Sequence, residues 1–224
     1  IIKDLKLYSK ISKIALDSYR YDDANIIAQQ WSKINPDSSD PFELGFRVSL
    51  ELKNFIKAKY YLEKYLNIEK PKNKRDYSKL LFALLENKNR LNVINFFDNY
   101  IEENKNRELT ISYIELLYSY NKTIEVIKYI DKIGSLNERN LIRLYANSHV
   151  LINELNPAKK TLLKFLKNKT LPDRQVQFEL LQVYLRLDDM QSAESLITKM
   201  LDSTSNDASL IFDISNILYE NNNY

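Results

Sequence analysis

Apolar residues along this chain follow a helical rhythm that restarts at a nearly constant interval. Small or apolar residues recur at Ala24, Ala58, Val93, Val126, Ala158 and Ala193, separated by 34, 35, 33, 32 and 35 residues. Four positions after each comes Ala28, Leu62, Phe97, Ile130, Leu162 or Ile197, and three further on Trp31, Tyr65, Tyr100, Ile133, Phe165 or Met200. In a helix of about 3.6 residues per turn, steps of four and three return to one face. Each marker therefore predicts the start of a helix with one buried stripe.

A second series precedes the first. Nine residues before the markers stand Ala15, Ser49, Leu84, Leu117, His149 and Tyr184. Four residues earlier stand Ile11, Gly45, Leu80, Tyr113, Tyr145 and Leu180. Short polar turns such as Tyr19-Arg20, Lys53-Asn54, Asn121-Lys122 and Asp188-Asp189 separate the two series. Each period thus predicts two antiparallel amphipathic helices. One such pair cannot bury its apolar faces alone, whereas stacked pairs can. From Asp207 to Tyr219 the pattern predicts one further helix, with Ile211, Ile214, Ser215 and Leu218 on its inward positions.

The period and its marked positions resemble the tetratricopeptide repeat (TPR) family over nearly the whole chain. The first repeat carries the likeness most fully, with Tyr8 at the bulky position, Ile11 at the leucine position, Ser12 at the small position, Ala24 at the alanine position and Pro36 closing it. The family's small residue gives way to Phe46, Leu81, Ile114 and Leu181 elsewhere, and the third and fourth repeats diverge most. The resemblance implies an all-α, right-handed superhelical solenoid of about six repeats plus one extra helix. It implies a single repeat domain over 1–224, expected to be part of a longer chain.

It also implies a protein-interaction scaffold that binds a peptide segment or partner protein on a concave face lined by the first helices. The positions that would line it include Ser9, Lys13, Arg47, Ser78, Phe82, Glu115, Arg143, Asn147, Phe178, Gln182 and Arg186. The family's carboxylate clamp uses lysine, asparagine and arginine on neighbouring repeats. Here Arg143, Asn147, Gln182 and Arg186 supply only part of that set, so a mixed groove is expected, with Phe82 and Phe178 as apolar anchors.

Composition narrows the alternatives. With two glycines, Gly45 and Gly134, no glycine-rich phosphate loop can be assembled. The absence of cysteine removes disulfides and thiolate metal sites. One histidine, His149, on an inward position reads as a packed core residue, and cannot alone supply a zinc ligand set. Neither catalysis, nor a cofactor, nor a metal is expected. No apolar run reaches the roughly 18 residues of a membrane span.

The net charge of +3 comes from 33 basic and 30 acidic residues, interspersed rather than clustered. That pattern, with a drifting period, argues against nucleic acid as the partner; a pentatricopeptide-like RNA-binding array is the alternative. A structural spacer between other domains also stays open, as does a homodimer formed through a terminal face. The sequence carries no readable address. Cytoplasm and periplasm both fit, and a bacterial envelope or secretion assembly is the setting that similar repeat proteins suggest.

Overall fold

Every second helix starts three residues before the small residue that marks its repeat. The computed structural model describes residues 5–134, 137–167, 173–202 and 207–221. Helix α1 (Leu5–Asp17) pairs with α2 (Tyr21–Ile34), and α3 (Asp40–Glu51) with α4 (Phe55–Glu69). Next come α5 (Lys74–Ala83), α6 (Arg90–Asn104), α7 (Arg107–Ser119) and α8 (Thr123–Ile133). Helix α9 (Arg139–Leu151) pairs with α10 (Leu155–Lys167), and α11 (Arg174–Arg186) with α12 (Met190–Asp202), while α13 (Ala208–Glu220) follows. The described residues hold no strand, and no described helix is long and apolar enough to cross a membrane.

Side-chain caps explain several helix starts. The side-chain oxygens of Asn54, Asn73, Asn106, Asp173 and Asp207 accept from Lys57, Asp76, Leu109, Val176 and Leu210 amides, satisfying donors that the first helical turn leaves free. The turns within pairs share one geometry. Tyr19, Lys53, Asn121, Asn153 and Asp188, each five residues before a marker, are left-handed, with φ between 55° and 62°. In four of them the next amide bonds back to the carbonyl five residues earlier: Arg20 to Ala15, Asn54 to Ser49, Glu154 to His149 and Asp189 to Tyr184. This is the helix-ending motif that usually recruits glycine. Here it is built from other residues, so the scarcity of glycine does not prevent it.

The third repeat departs from this plan. Helix α5 tightens into a 3-10 turn at Leu84–Glu86, and Asn87 is extended rather than left-handed. The carboxylate of Glu51 accepts from the amides of Lys88 (2.7 Å) and Asn89 (3.3 Å). Asn87 Nδ2 donates to the Arg47 carbonyl and Asn92 Nδ2 to the Leu50 carbonyl. The end of α3 therefore satisfies the polar groups of the irregular turn and fixes its position.

The chain forms two compact units, one ending at Tyr120 and the other starting at Asn121. In the first, a cluster of Tyr8, Ala15, Ala24, Ala28, Trp31, Leu44 and Val48 joins α1, α2 and α3. Further along, Phe46, Phe96, Phe97 and Tyr113 make successive ring contacts at 5.3–5.4 Å. In the second, one core runs from Ile142 through Ala158, Leu162, Leu180 and Ala193 to Ile217. All six markers are buried, as are ten of the twelve residues predicted four and seven positions after them; Ile133 and Ile197 are half-buried.

Two local expectations shift. On α13 the buried stripe is Leu210, Ile214 and Ile217, while Ile211 and Ser215 are exposed. The helix packs on α11 and α12, and only the stripe that meets them is covered. Phe46, at the family's small position, is fully buried, and the close approach passes to its neighbour. A Cβ on Gly45 would lie 2.6 Å from the Tyr61 ring.

Candidate functional site

Within the first unit, α1, α3 and the irregular turn after α5 border a groove of about 680 Å3. Helix α1 contributes Ser9, Lys13 and Asp17, and α3 contributes Asp40, Glu43, Arg47 and Glu51. The turn supplies Glu86, Asn87 and Lys88, so the departure of the third repeat is what brings them there. Tyr19, Tyr21 and Trp31 complete the wall.

Residues four apart on a helix share a face, so Asp17 follows from Lys13 and Glu43 from Arg47. That signal was present in the sequence. The contributions of Glu86 and Lys88 were not legible, because they depend on the turn leaving the regular pattern. The helical periodicity places Trp31 in the core, where it is, at 5% exposure, and it also lines the groove.

The groove's electrostatics are specific. Arg47 Nη2 donates to Glu86 Oε2 at 2.7 Å, and its Nη1 lies 3.9 Å from Glu43. Burial pushes the Glu43 carboxyl up, against the pull of Arg47 and with a further push from Asp40 and Glu86. Lys88 Nζ sits 3.5 Å from the centre of the Tyr19 ring, a cation–π contact. Trp31 stacks on Tyr8 at 6.1 Å between ring centres. Trp31 Nε1 and Arg47 Nε are buried donors with no hydrogen-bond partner.

The other predicted positions fall into two groups. Ser78, Phe82 and Glu115 come together between α5 and α7 in a shallow depression, where Phe82 is 61% exposed. Glu115 is held there by Lys74. In the second unit Arg143 is tied to Glu179 on the adjoining first helix. Burial pushes the Glu179 carboxyl up even though Arg143 pulls it down. Phe178 is half-buried against the core, Asn147 and Gln182 are half-buried, and Arg186 is exposed. His149 is buried, with Nδ1 2.7 Å from Glu154 Oε2 and its ring edge-on to Tyr145. Among the described residues, no group of three or more His, Asp or Glu side chains could hold a metal ion.

Among the described residues, seven ion pairs between neighbouring repeats share one direction. In Arg47–Glu86, Lys59–Glu103 and Lys74–Glu115 of the first unit, the earlier repeat gives the cation and the later one the carboxylate. The same order holds for Arg139–Asp173, Arg143–Glu179, Lys159–Asp189 and Arg174–Asp207 of the second.

No protein-family model matches the chain, and no curated protein sequence matches it significantly. Solved structures do. The C-terminal part of a TPR repeat-containing protein from Cytophaga hutchinsonii aligns with a TM-score of 0.55 at 14% identity, over 96% of this chain and 85% of that one. PilW, a type IV pilus biogenesis factor, aligns with a TM-score of 0.52 at 13% identity, over 95% of this chain and 97% of that one. A chain in a structure of Naa15/Naa10 bound to HypK aligns with a TM-score of 0.52 at 12% identity, over 96% of this chain but 34% of that one. Identities this low speak to architecture alone, and the architecture of this chain is TPR-like, an all-α helical repeat fold similar to that of tetratricopeptide-repeat proteins.

Proposed function

We propose that this protein is an interaction scaffold that binds a segment of a partner protein along its first helices. The observation that carries the reading is the groove of the first unit. It draws residues from three successive repeats, and it includes the predicted positions Lys13 and Arg47. Phe82 is a further contact position in the first unit; within the second unit, taken by itself, Asn147, Phe178, Gln182 and Arg186 are contact positions on its first helices, and Arg143 acts there through its pair with Glu179. The fold shared with a type IV pilus biogenesis factor supports looking for the partner in a bacterial envelope or secretion assembly.

The test is photo-crosslinking in the native cells, with the probe placed singly at groove positions Lys13 and Lys88, at Gln182 and Arg186, and at Ile26 and Ile56 on second helices. The reading expects one discrete adduct from the first-helix and groove positions and none from Ile26 or Ile56. Adducts from Ile26 and Ile56 alone would move the binding face to the second helices. Silence at every position would leave a spacer as the better account.

A further inference from the structure

The turns that join paired helices in the first unit lie side by side. The Glu51 carboxylate, before the second turn, accepts from the Lys88 and Asn89 amides of the third, and Lys88 Nζ sits 3.5 Å from the centre of the Tyr19 ring in the first. Helices α4 and α6 run on from the second and third turns as neighbours, with the Phe55 and Phe96 rings 6.2 Å apart and Lys59 paired to Glu103. Ile56 and Leu91 are the second residues of these two helices, and they are 86% and 62% exposed. No other large apolar side chain among the described residues is as exposed as Ile56, and Leu52, just before it, is exposed as well. The same edge is basic. Lys53, Lys57, Lys88 and Arg90 are all exposed on it. Neither α4 nor α6 has an acidic residue in its first turn, where Lys57 and Arg90 stand instead. A cation at a helix N-terminus opposes the macrodipole, so this charge is placed against local stability. Glu51 is committed to the two amides, and acidic side chains gather instead around the first turn, at Asp17, Asp22 and Asp23.

We propose that this edge, formed by the second and third turns of the first unit, docks on an anionic lipid bilayer, with Leu52, Ile56 and Leu91 set among the headgroups and the four cations on lipid phosphates. The surface is separate from the groove, with which it shares only Lys88, and the proposal does not depend on what the groove binds. Two features select the occupant together. Leu52, Ile56 and Leu91 project from turns and helix starts and line neither first-helix groove, so they call for an apolar medium that needs no matching relief. The cations around them call for anions at the border of that medium. A bilayer interface supplies both, ordered by depth. Lysine stems keep their ammonium groups at headgroup level while the aliphatic side chains sit deeper. A nucleic-acid backbone answers the cations and leaves the aliphatic side chains in water. An acidic protein segment would need pockets placed to match three separate side chains.

The test is co-sedimentation of the purified chain with vesicles of phosphatidylcholine alone and of equal parts phosphatidylcholine and phosphatidylglycerol. Binding is expected with the mixed vesicles only, and it should fall as salt rises. Lys53→Gln with Lys57→Gln is expected to weaken partitioning about 30-fold, roughly fivefold for each lysine lost. Ile56→Ser with Leu91→Ser is expected to weaken it about tenfold. Lys33→Gln with Lys64→Gln removes the same charge from exposed positions elsewhere on α2 and α4 and should cost less than about threefold. All six side chains are exposed, and circular dichroism melts check that each double variant keeps its helices. Equal binding to both vesicles would overturn the proposal, as would a loss from the Lys33 and Lys64 pair as large as that from Lys53 and Lys57. Unchanged binding after the two serine substitutions would overturn it too, since charge alone would then account for the attachment. If neither vesicle sediments the chain, the bilayer is wrong; an end-blocked peptide of glutamate and serine that then binds only while Lys53 and Lys57 are present would make the occupant an acidic protein segment.

Discussion

Arg143 Nε donates to Glu179 Oε1 across two neighbouring first helices, and the carboxylate it engages is the more deeply buried partner. The other oxygen of Glu179 is buried without a hydrogen bond. The two ends of the pair should therefore respond unequally to mutation. Arg143→Ala leaves a buried carboxylate unpaired and is expected to cost about 2–3 kcal/mol, below the roughly 3–5 kcal/mol of a fully buried pair because Arg143 is itself partly exposed. Glu179→Gln keeps an acceptor for Arg143 and removes the buried charge, so stability at neutral pH should change by less than about 1 kcal/mol or rise. Urea denaturation of both variants checks the contrast; equal losses would show that the pair acts as a simple attraction.

Gly45→Ala is expected to destabilise the protein although it places a better helix former inside a helix. The gain in propensity is about 1 kcal/mol. Against it, the new methyl would sit 2.6 Å from the Tyr61 ring, and overpacking of this kind costs about 1–3 kcal/mol. The melting temperature of Gly45→Ala should fall, and Tyr61→Leu in the same chain should recover part of the loss by removing the ring.

Lys53→Gly is expected to stabilise. Lys53 holds φ at 55°, where a β-carbon costs roughly 1–2 kcal/mol, more than the roughly 0.5–1 kcal/mol of backbone entropy that glycine adds. Its carbonyl and amide partners belong to the backbone, so the turn keeps its bonds. Asn153→Gly should gain less, since asparagine tolerates the left-handed region. Denaturation midpoints of the two variants give the order directly.

Alkaline pH should weaken the fold over a defined window. Burial, as the largest cause, pushes the phenols of Tyr65, Tyr100, Tyr120 and Tyr145 up to about 12. Their ordinary value is 10.0, so the unfolded chain loses these protons first. The stability they contribute is complete below about pH 10 and is lost as the pH rises through 12. Thermal melts followed by circular dichroism across this range, with phenolate absorbance recorded in parallel, should show unfolding and ionisation rising together. Ionisation of all sixteen tyrosines at the ordinary value, with the helices intact, would contradict it.

The repeat architecture was legible because its signal is local and recurrent. Ala24, Ala58 and Ala158 mark buried helix contacts at fixed spacing, and the helices start where that spacing places them. The groove was legible in part. Lys13 and Arg47 followed from their positions on first helices, and Asp17 and Glu43 from the face they share with them. Glu86 and Lys88 did not, because the 3-10 turn that delivers them is set by Glu51 and Asn87 across repeats, a pairing that no periodicity encodes. The commitment of Arg143 was hidden for a similar reason: its partner lies 36 residues away.

The cation-first order of the ion pairs bears on how such a chain can change length. The second, third, fifth and sixth repeats offer positive charge to the helices that follow them. Arg139 and Arg174 open α9 and α11 at equivalent positions, and their partners Asp173 and Asp207 cap the next first helices, so copying or deleting the sixth repeat leaves an arginine facing an aspartate at the new junction. Insertion of a reversed or unrelated helix pair would set like charges together instead. This directionality makes tandem duplication an electrostatically tolerated route by which the array can lengthen or shorten.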